Sequence, residues 1–386
     1  MRTTRTTVHT TMTFTVSSKA INDALTILSK VIASKNVLPI LDDFIIRLEG
    51  DTLHMTAADT ENMMTTTVCV TEGNGEGSFA INAKNMMEAL KNMAEMPLTF
   101  EFNEDTNKVK VSYQNGIFSL PTESPDEFPQ PYPIKSALEV SIPENILQEN
   151  IARTVFATAQ DELRPVMNGI FFDLTEECLA VVASDGHQLV RNKILSIQAT
   201  EDNKGSFILP KKPAHILKNT LRKVDAVVSI AADSSRVEFI TDTFTLNCRL
   251  IEGRYPNYNS VIPKNNPNTL TVDRVTLIAA LKRVSPFAND NSQLMKLHVQ
   301  QHALRLEAED YDFSKTAEES MVADYDGNDM KIGFKSGTLQ GILDNIKSTE
   351  VQMQLADPSR AGLIQPSEQP EQQEILMLIM PMLLND

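Results

Sequence analysis

The chain has 386 residues, 41% of them hydrophobic and 22% charged, with a formal net charge of −16. That length exceeds one ordinary core and fits two or three domains, and the composition excludes a disordered or fibrous chain. The longest strongly apolar run, Ile375 to Leu384, is about half of what a membrane-spanning helix needs, so no membrane partner is expected. The acidic total argues against a body that grips phosphates everywhere, although a net sum hides how lysines and arginines are distributed.

The first eleven residues, MRTTRTTVHTT, are threonine-rich and carry no acid. They lack an apolar face and read as a disordered extension over residues 1–11. A strand starts at Met12 with MTFTV. A helical stripe follows, in which Ile21, Leu25, Leu28 and Ile32 stand at spacings of four, three and four. The same strand-then-helix phrase returns at Leu138 (LEVSIPENILQENIARTVFATA) and at Leu270 (LTVDRVTLIAALKRVSPFA). Counted from Phe14, Leu138 and Leu270, where the repeated phrases begin, the spacings are 124 and 132 residues.

A second phrase keeps step with the first. FAINAKNMMEALKNMA, FILPKKPAHILKNTLRK and IGFKSGTLQGILDNIKST start at Phe79, Phe207 and Ile332, 128 and 125 residues apart. An alternating strand pair follows each. Proline-rich joins lie at FPQPYPIKSALEV and IPKNNPNTL. The spacing predicts three similar α+β domains of about 125 residues, each with two helices and antiparallel strands, over residues 12–136, 137–266 and 267–386.

Basic residues cluster on or beside the helical phrases, among them Lys19, Lys84, Arg153, Lys211, Lys282 and Lys347, while many acids fall in strands and loops. If the helices shared one side, that side would be markedly less acidic. Cys69, Cys178 and Cys248 lie far apart in strand-like runs without a CxxC pair, and are expected as small buried hydrophobes in a reducing cytoplasm.

An enzyme reading fails on chemistry. Ser184, Asp185 and His187 sit within four residues, whereas hydrolase triads converge from distant positions, and no G-x-S-x-G elbow frames the serine. Asp185-Gly186 reads as a tight turn between strands. Metal-ligand spacing is confined to the weak His298/His302 pair, expected on one strand face, and neither a catalytic residue nor a cofactor is expected.

LPILDDF at 38–44, NGIFFD at 168–173, VASDGHQLV at 182–190, EGRYPNY at 252–258 and MPMLL at 380–384, in this order on a threefold repeat, resemble the beta subunit of bacterial DNA polymerase III, the sliding clamp family. The resemblance covers Met12 to the C-terminus. It implies three clamp domains per subunit, two subunits closed head-to-tail into a ring, and helices lining a hole that holds double-stranded DNA without reading its sequence. It implies a cytoplasmic, non-enzymatic processivity factor whose partners are the replicative polymerase, the clamp loader and other proteins bearing short clamp-binding peptides. A peptide-binding scaffold of the same fold, without clamp activity, is the alternative.

Carried over residue by residue, the resemblance implies DNA contacts at Lys35, Lys84 and Arg164. It implies a peptide groove formed by Met167, Ser184, Gly186, His187 and Leu189, by Pro256, Val261 and Thr338, and by Leu378, Ile379, Met380, Pro381, Met382 and Leu383. Subunit contact falls to Phe118 and Leu120 in the first domain and to Phe287, Glu318 and Glu319 in the third. The chain departs from relatives in Pro165 and Val166 where aromatic residues occur, and in Gln188, Ser260 and Leu383 where basic ones occur. The expected groove is therefore more apolar and less basic.

Overall fold

The computed structural model describes residues 11–131, 133–135 and 138–384. The extension expected over residues 1–11 lies outside the described residues, except for Thr11, which opens the first strand. Six helices are present among the described residues: α1 (Ser18–Leu28), α2 (Ala83–Leu90), α3 (Glu144–Thr154), α4 (Lys211–Thr220), α5 (Arg274–Val284) and α6 (Ser336–Asp344). They pack as three pairs, α1 on α2, α3 on α4 and α5 on α6, as the repeat requires. None is long and apolar enough to cross a membrane.

Each helix follows directly on a strand, and the junction residue sets the start. Ser17 Oγ accepts from the Ala20 amide (3.3 Å), Asn82 Oδ1 from Asn85 (3.2 Å) and Asp273 Oδ1 from Thr276 (2.7 Å). These caps satisfy amides that the first helical turn leaves without an internal partner. At α3 the first-turn residue Glu144 is fully buried and accepts from the Arg222 amide (2.5 Å) and Nη2 (2.8 Å), clasping the end of α4 to the start of α3.

By internal packing the chain forms two compact units: the N-terminus to Pro143 with Val224–Arg249, and Glu144–Lys223 with Leu250 to the C-terminus. The first unit holds a five-stranded sheet that ends on the edge strand Gly116–Pro121, and an eight-stranded sheet. The eight-stranded sheet crosses from one repeat to the next where Thr245–Arg249 pairs with Asn62–Cys69. Phe14 stacks on Phe100 (4.7 Å) and Phe79 on Phe102 (4.8 Å) in its core.

The second unit holds a four-stranded sheet ending on the edge strand Lys315–Val322, and a nine-stranded sheet. The nine-stranded sheet joins the second and third repeats where Gln188–Ile194 pairs with Gln373–Ile379. Strand alternation divides the last strand between two cores. Ile375, Met377 and Ile379 join a cluster with Leu281, Leu339 and Leu343 of α5 and α6. Leu376 and Leu378 point the other way, to a cluster with Leu189, Tyr255 and Tyr258. Beneath the seam runs a buried polar chain: Asn192 Nδ2 donates to Thr154 Oγ1 (2.9 Å), Thr154 Oγ1 to the Asn150 carbonyl (2.6 Å), and Asn150 Nδ2 to Gln373 Oε1 (3.2 Å).

Two sequence expectations are corrected here. Cys69 is exposed, while Cys178 and Cys248 are buried, and all three are free thiols. His302 lies in the turn between strands Leu294–Gln300 and Ala303–Asp310, so it shares no strand face with His298. Arg153, one of the basic residues grouped with the helical phrases, is only 4% exposed and lies in the last turn of α3.

Candidate functional site

The face of the nine-stranded sheet turned away from α5 and α6 carries the feature most suited to binding. Register places Ser184 opposite Leu189, Leu189 opposite Leu378, and Leu378 opposite Leu363. Directly opposed residues share a sheet face with Cβ atoms about 4.5–5.5 Å apart. A row of leucines therefore crosses three strands and ends in a hydroxyl.

The turn beside that row is held by its own side chains. Ser184 Oγ donates to the Gln188 carbonyl (2.7 Å) and accepts from the Gly186 amide (3.2 Å). Asp185 Oδ1 accepts from the His187 (2.8 Å) and Gln188 (2.9 Å) amides. The three residues that superficially suggested a hydrolase are thus occupied in shaping a turn. Gly186 has φ +91°, and a Cβ there would lie 3.1 Å from Arg164 Nη1, so both the backbone and the arginine favour glycine.

Arg164 donates from Nε to Asp161 Oδ2 at 2.8 Å. That hydrogen bond, with the arginine's charge, holds the Asp161 carboxyl below the usual carboxylate range. The guanidinium, assigned from the sequence to DNA, is thereby stationed over the turn of the apolar face.

Aromatic residues close one side. Phe171 stacks on Tyr255 (4.7 Å, 5° between planes) and meets Tyr258 edge-on (6.1 Å). Tyr258 Oη donates to Asp173 Oδ2 at 3.2 Å. Burial, reinforced by Asp173, pushes the Tyr258 phenol up to about 12, so it remains a donor across the physiological range. Gly253, at φ +129°, lets the chain pass over Val166, whose Cγ1 would sit 2.7 Å from a Cβ there. Val261, at the end of the short 3-10 turn that Tyr258 opens, is 58% exposed.

The C-terminal segment forms the remaining rim. The Met380 amide donates to the His187 carbonyl (2.8 Å), which leaves the Met380 side chain at the turn with 42% of the residue exposed. The Met382 amide donates to the Gly333 carbonyl (2.8 Å), carrying Pro381 and Met382 towards the four-stranded sheet.

The residues carried over from the sequence divide accordingly. Ser184, Gly186, His187, Leu189, Leu378 and Met380 come together. Met167 is buried and its carbonyl accepts from the Ala159 amide (2.8 Å), while Pro256 is exposed between the two tyrosines. Three are not gathered. Thr338 lies in α6, which packs on the opposite face of the sheet; Ile379 alternates onto that same helical face; and Leu383 lines a separate cleft of about 510 Å³ with Lys331 and Pro358. The sequence reading also missed Leu363, Ala361, Phe171, Val166 and both tyrosines. Of these, Phe171 within NGIFFD and the tyrosines within EGRYPNY lay in motifs the sequence had marked, and Val166 was noted only as a departure from relatives.

Elsewhere, Lys35 is exposed in the loop after α1 and Lys84 is exposed on α2. Phe118 and Leu120 sit half-buried on the edge strand Gly116–Pro121. Phe287, 39% exposed, ends α5's short extension, which packs beside the edge strand Lys315–Val322 carrying Glu318 and Glu319. Those two acids are not free: Arg305 Nη1 reaches Glu318 at 3.3 Å and Arg283 Nε reaches Glu319 at 2.9 Å.

Comparison with known proteins gives this architecture a family. Models of the DNA polymerase III beta subunit match in order along the chain: the N-terminal domain at residues 12–132, the central domain at 141–257 and the C-terminal domain at 259–383. A beta sliding clamp of Pseudomonas putida is 26% identical over 366 residues, covering 95% of this chain and 99% of the relative. That of Escherichia coli K12 is 26% identical over 376 residues, covering 97% of this chain and all of the relative. The solved Pseudomonas aeruginosa sliding clamp bound to griselimycin superposes with a TM-score of 0.91 at 25% identity, over 97% of this chain and all of that one. The protein belongs to the bacterial DNA polymerase III beta subunit family, the DNA sliding clamps.

Proposed function

We propose that two copies of this chain close head-to-tail into a cytoplasmic ring, and that the partly exposed Met380 and Val261, backed by the buried row Leu189–Leu378–Leu363, receive short peptides from the replicative polymerase, the clamp loader and other partners. As a sliding clamp the chain is a non-catalytic processivity factor that holds a polymerase to DNA. The tether is topological, so strong phosphate contacts would only slow sliding by adding salt-dependent affinity. Exposed Lys35 and Lys84 suit that weak role. Arg164, beside Gly186, is assigned to the rim of the peptide face.

The observation that carries the peptide reading is the partly exposed Met380, beside the turn that ends the buried leucine row, with exposed Val261 in the same short turn as Tyr258 of that apolar cluster. Apolar anchors with a few fixed polar groups make a small-ligand site, and methionine adapts to several occupants. Two or three anchors, less ordering costs, give an affinity of about −8 kcal/mol, near micromolar. Ring closure is assigned to the edge strands Gly116–Pro121 and Lys315–Val322 of different copies, since joining them removes two unpaired edges. The domain boundaries 12–136, 137–266 and 267–386 are retained, supported by the three family matches.

The test is a labelled peptide of the Gln-Leu-x-Leu-Phe type titrated with the protein. Saturable binding near micromolar is expected. No binding at about 100-fold higher concentration contradicts the site.

A further inference from the structure

A second cleft, of about 670 Å³, opens in the same unit between the last turn of α3, the segment after α6 and the loop Pro366–Pro370. Its volume is within the range of small-ligand sites. At its floor lies Arg153, 4% exposed, whose Nη1 is buried with no hydrogen-bond partner. Its nearest acid, Glu149, stands 3.7 Å from Nη2 and is shared with Lys347 Nζ at 2.8 Å. Burial without full pairing costs the arginine charge and lowers its pKa. Among those three groups, two cations face one carboxylate. The exposed mouth carries Glu350 and Glu368, with Asp273 already engaged in capping α5.

We propose that this cleft binds a protein segment bearing an acid next to a base: its carboxylate completes Arg153, and its lysine or arginine side chain meets Glu350 and Glu368. An inner positive charge behind an acidic mouth fits such a pair. The same mouth repels a polyanion, which sets the cleft apart from any DNA-contacting surface. Guanidinium forks favour carboxylate geometry, and the walls supplied by Pro366, Pro370 and Ile375 suit an extended backbone.

The experiment follows the arginine side-chain NMR resonances of the full-length protein while N-acetyl-Glu-Lys-amide is added. A saturable shift of the Arg153 Nε–H is expected, and Arg153→Met should weaken the binding by about tenfold or more, as a charged hydrogen bond requires. Glu368→Gln, at an exposed position that leaves the fold intact, should weaken it about two- to fivefold without affecting N-acetyl-Glu-amide. No saturation, saturation unaffected by Arg153→Met, or a stronger Arg153 response to inorganic phosphate or duplex DNA overturns the proposal.

Discussion

The peptide face makes a quantitative prediction at its rim. Full burial of a large apolar side chain contributes about 1.5–3 kcal/mol. Met380 retains 42% exposure, so an occupant gains about 0.6–1.3 kcal/mol by covering it; Val261, 58% exposed, offers about 0.9–1.7 kcal/mol. Replacing both with alanine should therefore weaken a Gln-Leu-x-Leu-Phe peptide roughly 10- to 150-fold, with little change in stability. Leu189 behaves oppositely. At 2% exposure it has almost nothing left to bury against a ligand, and Leu189→Ala should cost about 2–5 kcal/mol of folding free energy. Fluorescence polarisation reads the first effect and denaturant unfolding the second. Unchanged affinity in the double variant refutes the assignment of the face.

Other perturbations probe separate layers. Glu144→Ala leaves the Arg222 amide without its buried acceptor, while the 40% exposed Arg222 guanidinium can turn to water, and should destabilise the protein by about 1–3 kcal/mol, read by urea unfolding. Asp43 is raised to about 6, chiefly by burial, against Asn82's opposing hydrogen bond. Its folded pKa exceeds its unfolded one, so the folded state binds more protons between about 4 and 6 and stability falls as pH rises through that window. Asp43→Asn should consequently stabilise at pH 7 by at most about 3 kcal/mol, an advantage that disappears below about pH 4 in thermal melts. Phe118→Asp and Phe287→Asp should each shift sedimentation from twice 42.9 kDa towards the single chain; two fully dimeric variants at nanomolar concentration contradict the proposed interface.

The helices were legible because apolar spacing and the repeated strand-then-helix phrases are local signals, while the capping roles of Ser17, Asn82 and Asp273 emerged only from the structure. The sheets were less so. Thr245 pairs with Thr65 and Gln188 with Ile379, and no local pattern announces partners so distant in sequence. Leu363 escaped notice because its strand, Gly362–Pro366, is buried on both faces and lacks alternation. Thr338 stands apart from the leucine row because its helix packs on the other face of that sheet. Arg153 was grouped only with the other basic residues of the helical phrases, because the packing of α3 beside the Pro366–Pro370 loop, which buries it, has no local sequence signal.

Retention on circular versus linear DNA tests the central claim most directly. The protein is loaded by a clamp loader onto nicked circles, half the sample is linearised, and both are washed in high salt. A topological ring predicts loss from the linear molecules alone. Equal loss from both forms would mean ordinary electrostatic binding and would contradict the account.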